Sequence, residues 1–172
     1  MIDDYYVARL DRETHAAQLQ SLYDRCSDYV EIAFGQSVHP TAAEEDFVFA
    51  RNMIFGIYSR DGRLIGVLEM LRDYPKRDEW WIGLLMLDPA ARGQGFGARI
   101  CRTTFDWIAH EGGRAVWIGV LKGSERAYEF WKKIGFVDVE SQPYVASNSY
   151  ETTVVLMKKI LSGEGQALSP VT

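Results

Sequence analysis

The sequence predicts an α/β (α+β) protein with a mixed central sheet of about six to seven strands and helices on both faces. A strand–helix–strand unit over residues 79–121 predicts two parallel strands, because a crossover helix returns the chain in the same direction. Two apolar runs flank Arg60–Arg63, where an Asp-Gly pair indicates a hairpin turn. Two later runs, Phe136–Glu140 and Tyr150–Lys158, predict a closing hairpin. Parallel and antiparallel pairs together require a mixed sheet.

The N-terminal part is predicted to begin with a strand and continue as helix. Tyr5–Leu10 has the β-rich composition of a first strand. A helix that begins near Asp11 is predicted by apolar residues at helical spacing, namely Ala16, Leu19, Leu22 and Tyr23. Thr41–Glu44 fits a capping box, in which the Thr hydroxyl and the Glu carboxylate satisfy backbone amides at a helix start, so a second helix is predicted to about Ala50.

The central part of the sequence contains the crossover. Glu79–Pro89 is too apolar for a half-exposed strand and ends at a proline, so we expect a strand buried on both faces in the middle of the sheet. A helix follows from Phe96 to about His110, and a strand from Arg114 to Leu121. Ser124–Ile134 places its apolar residues on one helical face, which predicts a helix packed on the sheet.

Length and composition limit the classes of function. With 172 residues and 47% hydrophobic content, we expect one domain over residues 1–161 and a disordered tail over residues 162–172. The net charge of -5 and the scattered Lys and Arg argue against a nucleic-acid partner. No apolar run approaches the roughly 20 residues that cross a bilayer, and the acidic start is unlike a signal peptide. A cytoplasmic protein with no membrane partner is therefore expected.

The two cysteines, Cys26 and Cys101, have no His or Cys at metal-ligand spacing nearby. We interpret them as reduced, half-buried thiols rather than a disulfide or a nucleophile. No metal site is expected.

Three glycines at alternate positions, Gly93, Gly95 and Gly97, stand at the start of the predicted helix. The first amides of a helix lack internal partners, and glycine lets an anion approach them, so the pattern predicts a phosphate site. A P-loop is excluded, because it would end in Gly-Lys-Ser/Thr and here Ala98-Arg99 follow Gly97. A dinucleotide fold matches the string Gly-x-Gly-x-x-Ala, but the loop starts too far from the strand and the next strand ends without the acidic residue for a ribose.

The pattern Arg92-x-x-Gly95-x-Gly97 after a buried strand ending in Asp-Pro resembles the acyl-CoA pyrophosphate loop of the GCN5-related N-acetyltransferase (GNAT) superfamily. The resemblance covers about Asn52 to Ile160 in element order and includes "SERAYEFWKKIGF", Ser124–Phe136, which is similar to the second cofactor-contacting helix of that family. The WWIG strand with its following Asp-Pro, and the helix that ends Trp-Lys-Lys-Ile-Gly-Phe, look like those of a bacterial GNAT subgroup of unassigned substrate. The resemblance implies the GNAT fold, in which strands four and five splay apart in a V.

The resemblance also implies a donor and its binding residues. Acetyl-CoA would be the acyl donor, with no metal. The backbone at the end of strand four would pair with pantetheine at Leu85, Met86 and Leu87. The pyrophosphate would bind the amides of a loop whose members are Arg92, Gly93, Gln94, Gly95, Phe96, Gly97 and Ala98. Ser124 stands where the family has an Asn that contacts pantetheine, although a Ser there is also a good helix N-cap.

The reaction that the resemblance implies, direct attack of a primary amine on the thioester, calls for a base and an acid. The family acid is most often a Tyr on this helix, but Trp131 holds that position and suits core packing. Tyr128, one turn earlier, is a weak replacement whose alternative is also packing. Glu69 is the candidate base or ammonium anchor, because a carboxylate inside an apolar strand is costly unless it is paired or used. The alternative for Glu69 is an exposed-face residue.

The acceptor is expected to be an amine of a small molecule or a protein. Aromatic faces suit cationic amines, and some of the following are expected to line the acceptor site while others pack in the core: Tyr74, Trp80, Trp81 and Tyr144. The loop acids Asp73, Asp78 and Glu79 are expected to be solvated. The competing class is a non-catalytic acyl-CoA sensor, motivated by the residues at the usual Tyr and Asn positions. Many relatives dimerise, so a homodimer is a further expectation.

Overall fold

The computed structural model describes residues 5–35, 52–146 and 149–161. One sheet holds the strands β1 (Tyr5–Arg9), β2 (Met53–Ser59), β3 (Leu64–Arg72), β4 (Glu79–Leu87), β5 (Ala115–Leu121), β6 (Val137–Val145) and β7 (Glu151–Ile160). The helices of the described residues are α1 (Arg12–Arg25), α2 (Ser27–Phe34), α3 (Phe96–His110) and α4 (Glu125–Lys133), and a single 3-10 turn spans Pro89–Ala91.

The strands lie in the order β1-β2-β3-β4-β5-β7-β6. Every neighbouring pair is antiparallel except β4 and β5, which are parallel and joined by α3. The sheet is therefore mixed, as the sequence predicts, and β4 is its middle strand. Its alternate residues Trp80, Ile82, Leu84 and Met86 are all buried.

Helices cover both faces of the sheet. On one face α1 and α2 pack through residues such as Leu22 and Val30 against Val67, Leu84 and Met86. On the other face α3 and α4 pack through residues such as Phe105 and Trp131 against Trp80 and Ile82. Trp80 and Ile82 thus face one layer and Leu84 and Met86 the other, because an extra residue, Gly83, forms a β-bulge between Ile82 and Leu84. This bulge bends β4 at the middle of the sheet.

Two elements differ from the expectation. The apolar pattern predicts one helix near residues 11–23, whereas the chain forms α1 and α2, separated by the single residue Cys26. The strand expected at Phe136–Glu140 continues to Val145. It accommodates Pro143 because β6 is an edge strand, where a missing amide leaves no partner unsatisfied.

Two predicted features lie outside the described residues. They are the helix expected from Thr41 to about Ala50 and the disordered tail expected over residues 162–172. Both stay predictions, as does the single domain over residues 1–161.

Candidate active site

A cleft begins where β4 and β5 separate. Their residues pair from Glu79 with Ala115 to Ile82 with Ile118, and no later pair joins the two described strands. Both strands nevertheless continue, β4 to Leu87 and β5 to Leu121. The bulge at Gly83 stands at the point where pairing stops. The V-shaped splay expected between strands four and five is confirmed.

The cleft has a volume of about 540 Å³ and is lined from both faces of the sheet. One wall is the end of β4, at Leu85, Met86 and Leu87, which has β3 but no other strand beside it among the described residues. The opposite wall is formed by α4 along its length, and the loop that leads into α3 forms the rim. The remaining contribution comes from α2, through Asp28, Tyr29 and Ile32.

The glycine loop at the rim combines two kinds of glycine. Gly93 and Gly95 have φ values of +85° and +74°, and a Cβ added to either would meet no atom within 4 Å. Glycine is needed there for backbone conformation, and the space above both residues is open. A Cβ on Gly97 would stand 3.4 Å from Leu87 and Phe130, which is ordinary contact. The backbone amide of Arg99 donates to the Gly95 carbonyl at 3.1 Å, which is the first hydrogen bond within α3. The helix therefore supplies no acceptor to the backbone amides that precede Arg99.

Asp88 fixes the start of the glycine loop through buried hydrogen bonds. It is only 3% exposed, and its carboxylate accepts bonds from Arg25 Nε and Arg63 Nη2, each at 2.7 Å, and from the Ala90 amide at 3.0 Å. Burial opposes its ionisation, but the amide and the two guanidinium groups together hold the pKa of Asp88 below its usual value. The start of the loop is thereby tied to the end of α1 and to the β2–β3 hairpin.

Arg92 connects the loop to α2. Its Nε donates to the Leu87 carbonyl at 2.8 Å, and its two terminal nitrogens donate to the Asp28 carboxylate at 2.5 and 3.1 Å. This hydrogen-bonded pair lowers the pKa of Asp28 and raises that of Arg92. The cation expected beside a pyrophosphate is present at the rim of the cleft, where Asp28 orients it.

Glu69 lies beside Gly83, at the point where β4 and β5 separate, which we call the apex. It is not itself among the residues that line the cleft of about 540 Å³. Its carboxylate carbon and one oxygen are each 3.3 Å from the position that a Cβ of Gly83 would occupy, and Asn52 donates a hydrogen bond to the same carboxylate. Burial raises the pKa of Glu69, against the opposing effect of the Asn52 bond. The carboxylate thus lies beside the first residue of β4 that has no partner on β5.

Sequence reasoning missed Tyr29. This residue is half-buried, lines the cleft, and packs against the core between α1, α2 and the sheet. Burial, together with the nearby groups Glu69 and Tyr144, raises the pKa of its hydroxyl above the usual value. Tyr29 was missed because α2 itself was not separated from α1, and no motif marks a tyrosine at this place.

Comparison of the sequence with family models identifies the family of this chain. The model of the acetyltransferase (GNAT) family matches residues 16–136. The chain belongs to the acetyltransferase (GNAT) family. The match runs from α1 through the glycine loop to the end of α4, and so includes the residues that line the cleft.

Individual relatives of this GNAT chain agree with the assignment. Uncharacterized N-acetyltransferases of Mycobacterium bovis and Mycobacterium tuberculosis are 26% identical over 101 residues, which are 59% of this chain and 64% of theirs. An acetyltransferase structure from Thermus thermophilus has a TM-score of 0.77 at 16% identity and covers 93% of this chain and 99% of its own. Spermidine N-acetyltransferase from Vibrio cholerae, in complex with CoA and spermine, has a TM-score of 0.70 at 14% identity, covering 92% and 96%. These structures show the shared fold.

The α4 residues of this GNAT chain occupy distinct environments. Trp131 is 8% exposed and packs edge-on against Phe130 and Phe136, which confirms core packing, and its remaining surface lines the cleft. Ser124 occupies the N-cap position, but its side chain makes no capping hydrogen bond and lines the cleft instead. The Tyr128 hydroxyl donates to Asp138 at 2.7 Å, and Tyr128 does not line the cleft. The usual position of the family acid is therefore apolar here.

The other aromatic and acidic candidates lie in different environments. Trp80 is 1% exposed and belongs to the core, whereas Tyr74 is half exposed and packs edge-on against Trp81. Glu79 is not solvated, because Lys158 Nζ and Trp117 Nε1 each donate to it at 2.7 Å. Partial burial opposes its ionisation, but these bonds hold the pKa of Glu79 below its usual value. The expectation of a solvated Glu79 is wrong, because its partners lie on β5 and β7.

Both cysteines are free and buried. Burial raises the pKa of each thiol, for Cys101 to about 12. Within the described ranges, the side chains that commonly bind metals form no group of three or more. None of the described helices is both long enough and apolar enough to cross a membrane.

Proposed function

We propose that this GNAT chain is an N-acetyltransferase that transfers the acetyl group of acetyl-CoA to a primary amine of a small molecule or a protein. One observation carries the proposal. The Glu69 carboxylate lies beside Gly83, where β4 and β5 stop pairing, and from there β4 continues as one wall of a cleft whose wall and rim fit the arm and the pyrophosphate of the donor. A base placed at the separation of two strands can reach an amine that enters from the opposite side.

The residues of the cleft fit acetyl-CoA. The backbone of Leu85–Leu87 has no β5 partner and is available to pair with an extended pantetheine arm. Amides between Arg92 and Ala98 precede the first bond of α3, and the open space over Gly93 and Gly95 admits a pyrophosphate. The Ser124 hydroxyl is not used as a cap and can contact the arm. When bound, acetyl-CoA supplies an activated thioester.

The chemistry assigned to Glu69 is removal of a proton from the acceptor. An alkyl ammonium, with a pKa of about 10.4, must lose a proton before its nitrogen can attack a carbonyl carbon. Because burial raises the pKa of Glu69, the carboxylate is a better proton acceptor than a solvated glutamate. The same negative charge attracts the ammonium into the cleft. Glu69 thus serves as base, as anchor, or as both in succession.

The experiment compares the unmodified chain with Glu69→Gln and with Glu140→Gln, which changes an exposed residue of the edge strand β6. Calorimetry first measures acetyl-CoA binding, and CoA release is then followed with a panel of primary amines. Glu69→Gln is expected to lower kcat by about a hundredfold, within the range for a lost general base, while acetyl-CoA affinity stays within about twofold. Glu140→Gln is expected to match the unmodified chain. Unchanged turnover of Glu69→Gln would remove this residue from the reaction.

The same assay tests the sensor alternative, for which tight binding without CoA release from any amine would be the result. The placement of a carboxylate at the apex favours catalysis over sensing. The proposal also includes a cytoplasmic location, which two free thiols support, since reducing compartments keep cysteines unpaired. The homodimer and the absence of a nucleic-acid partner stay predictions.

A further inference from the structure

We propose that Asn52 is a positioning residue for Glu69, and that its side-chain amide fixes one carboxylate oxygen at the point where β4 and β5 separate. The inference rests on the proposed function, in which Glu69 takes a proton from the acceptor amine. It goes beyond that function because Asn52 is assigned no contact with either substrate and acts only through the carboxylate.

The strand register brings the two side chains to one face of the sheet. Ile54 of β2 pairs with Glu69 of β3, so the side chains of this pair share a face. Asn52 directly precedes β2 and stands two positions before Ile54, which in an extended chain gives it the same face. Asn52 therefore lies diagonally across from Glu69, and its side-chain nitrogen donates to Oε1 of the carboxylate.

The bonded carboxylate lies beside bare backbone of β4. Its carbon and Oε2 are each 3.3 Å from the position that a Cβ of Gly83 would occupy, and Oε1, which accepts the bond, is 3.5 Å from it. Gly83 is exposed, and the described pairing of β4 with β5 ends one residue before it. A side chain at position 83 would lie against the carboxylate, so glycine leaves the approach to Glu69 uncovered.

The group that Asn52 donates is neutral, unlike the cations that bind Asp88 and Glu79. Asp88 accepts bonds from two arginines, and Glu79 accepts one from Lys158. Such cations stabilise a carboxylate and also compensate its charge. An amide N–H orients a carboxylate without cancelling its charge. Glu69 thus keeps, in a defined position, the negative charge that attracts an ammonium.

The carbonyl end of the Asn52 amide has no hydrogen-bond partner among the described residues. Its Oδ1 is nevertheless buried, and buried polar atoms are normally hydrogen-bonded. The reverse orientation of the amide would set Oδ1 against the carboxylate, where both atoms are acceptors. Among the described residues, the amide is therefore oriented by Glu69. An apolar side chain of similar size would remove both ends of the amide, so we expect such a variant to fold.

The first experiment measures the pKa of Glu69 without any turnover. Chains labelled with ¹³C at the glutamate carboxyl are titrated by NMR, and the Glu69 signal is identified by its loss in Glu69→Gln. Because the Asn52 bond lowers the pKa of Glu69, Asn52→Leu should raise this pKa. Gln142→Met removes an amide from the exposed edge strand β6 and should leave the pKa unchanged. Thermal melts verify folding, and Asn52→Ala replaces Asn52→Leu if the latter does not fold.

The second experiment measures whether the bond acts on turnover through Glu69. CoA release with the best amine of the panel gives kcat and the pH profile of kcat/KM for Asn52→Leu, Glu69→Gln and the double variant. A displaced base should lower the kcat of Asn52→Leu by about tenfold or more, with acetyl-CoA affinity within about twofold in calorimetry. The acidic limb of its profile should move to higher pH, because a base with a raised pKa loses its proton at higher pH.

The double variant separates positioning from a general effect on the fold. In the Glu69→Gln background, Asn52→Leu should change kcat by less than about twofold, because two residues that act as one unit are not additive. An upward shift of the Glu69 pKa, with a loss of kcat confined to chains that keep Glu69, supports the proposal. An unchanged titration, an unmoved acidic limb, a smaller fall in kcat, or an equal loss in both backgrounds would overturn it.

Failure of the proposed function gives a different result. Full turnover by Glu69→Gln, or no CoA release by the unmodified chain with any amine, would end both proposals. Failure of the Asn52 assignment alone leaves Glu69→Gln slow while Asn52→Leu keeps the titration and the pH profile of the unmodified chain.

Discussion

Replacing Asp88 with Asn tests whether the acidic residue below the glycine loop holds the fold together through its charge. The substitution keeps the size of the side chain and removes the carboxylate that two arginines share. The Arg25 side chain is 32% exposed and its bond is charge-assisted, which is worth about 1.5 to 3 kcal/mol. The bond from the Ala90 amide resembles a helix cap, and the Asn side-chain oxygen can still accept it, so it adds nothing to the difference.

The Arg63 bond adds little, because that side chain is 55% exposed and solvent screens the pair to at most about 0.5 kcal/mol. We therefore expect Asp88→Asn to lower the free energy of unfolding by about 2 kcal/mol at neutral pH. For a chain of this length that corresponds to a fall in Tm of about 4 to 8 °C. Urea denaturation followed by tryptophan fluorescence measures it, since the chain has 5 Trp. Asp106→Asn, on the exposed side of α3, is the control and should change stability by less than about 0.5 kcal/mol.

The dependence on pH gives an independent measurement. The pKa of Asp88 in the folded chain lies below the value of about 3.9 that an unfolded chain has, so its stabilisation is complete above about pH 5. It is lost as the pH falls through the folded pKa, because a protonated Asp88 then resembles Asn. The gap between Asp88→Asn and the unmodified chain should therefore narrow below about pH 4. A stability difference between the two proteins under about 0.5 kcal/mol at neutral pH would refute the reasoning, and so would a difference of equal size at neutral pH and below about pH 4.

Two further predictions concern the glycine loop and the cysteines. Gly95→Ala should weaken acetyl-CoA binding in calorimetry more than Gly97→Ala does, because a Cβ at a φ of +74° costs about 1 to 2 kcal/mol of conformational strain, whereas position 97 offers ordinary contacts. Equal affinities of the two variants would contradict this. Cys26 and Cys101 should react slowly with a thiol reagent in the folded chain and fully in denaturant, because burial raises both pKa values. Fast labelling of the folded chain would show that a thiolate is exposed.

The elements with a clear period were predictable, and so was the backbone conformation of the glycine loop. The helix Phe96–His110 has the bounds that its pattern predicts, and Gly93 and Gly95 have the positive φ that makes glycine necessary. The bulge at Gly83 was not predictable, because even-numbered residues of β4 are buried on both sides of it and the alternation in the sequence looks uninterrupted. A local sequence pattern shows which residues are buried, but it does not show which of the two helix layers covers them.

The tertiary partners of charged residues were also out of reach. Asp88 looks like a turn residue before a proline, and only the fold brings Arg25 and Arg63 to it across 63 and 25 positions of sequence. Tyr29 was missed for a similar reason, because only the single residue Cys26 separates α1 from α2 and the sequence pattern does not mark this break. The candidate site was thus predictable on the side of the donor, where backbone conformation leaves a mark in glycines, and less so on the side of the acceptor.

The ion pair between Asp28 and Arg92 joins α2 to the glycine loop, and the next residue of the same helix, Tyr29, lines the cleft. If the proposed function holds, a displacement of α2 by one substrate would therefore be transmitted to the site of the other. Linkage requires that any factor by which acetyl-CoA changes the affinity for the amine equals the factor by which the amine changes the affinity for acetyl-CoA. Substitutions on α2 that adapt the chain to a new amine consequently act on its affinity for the donor as well.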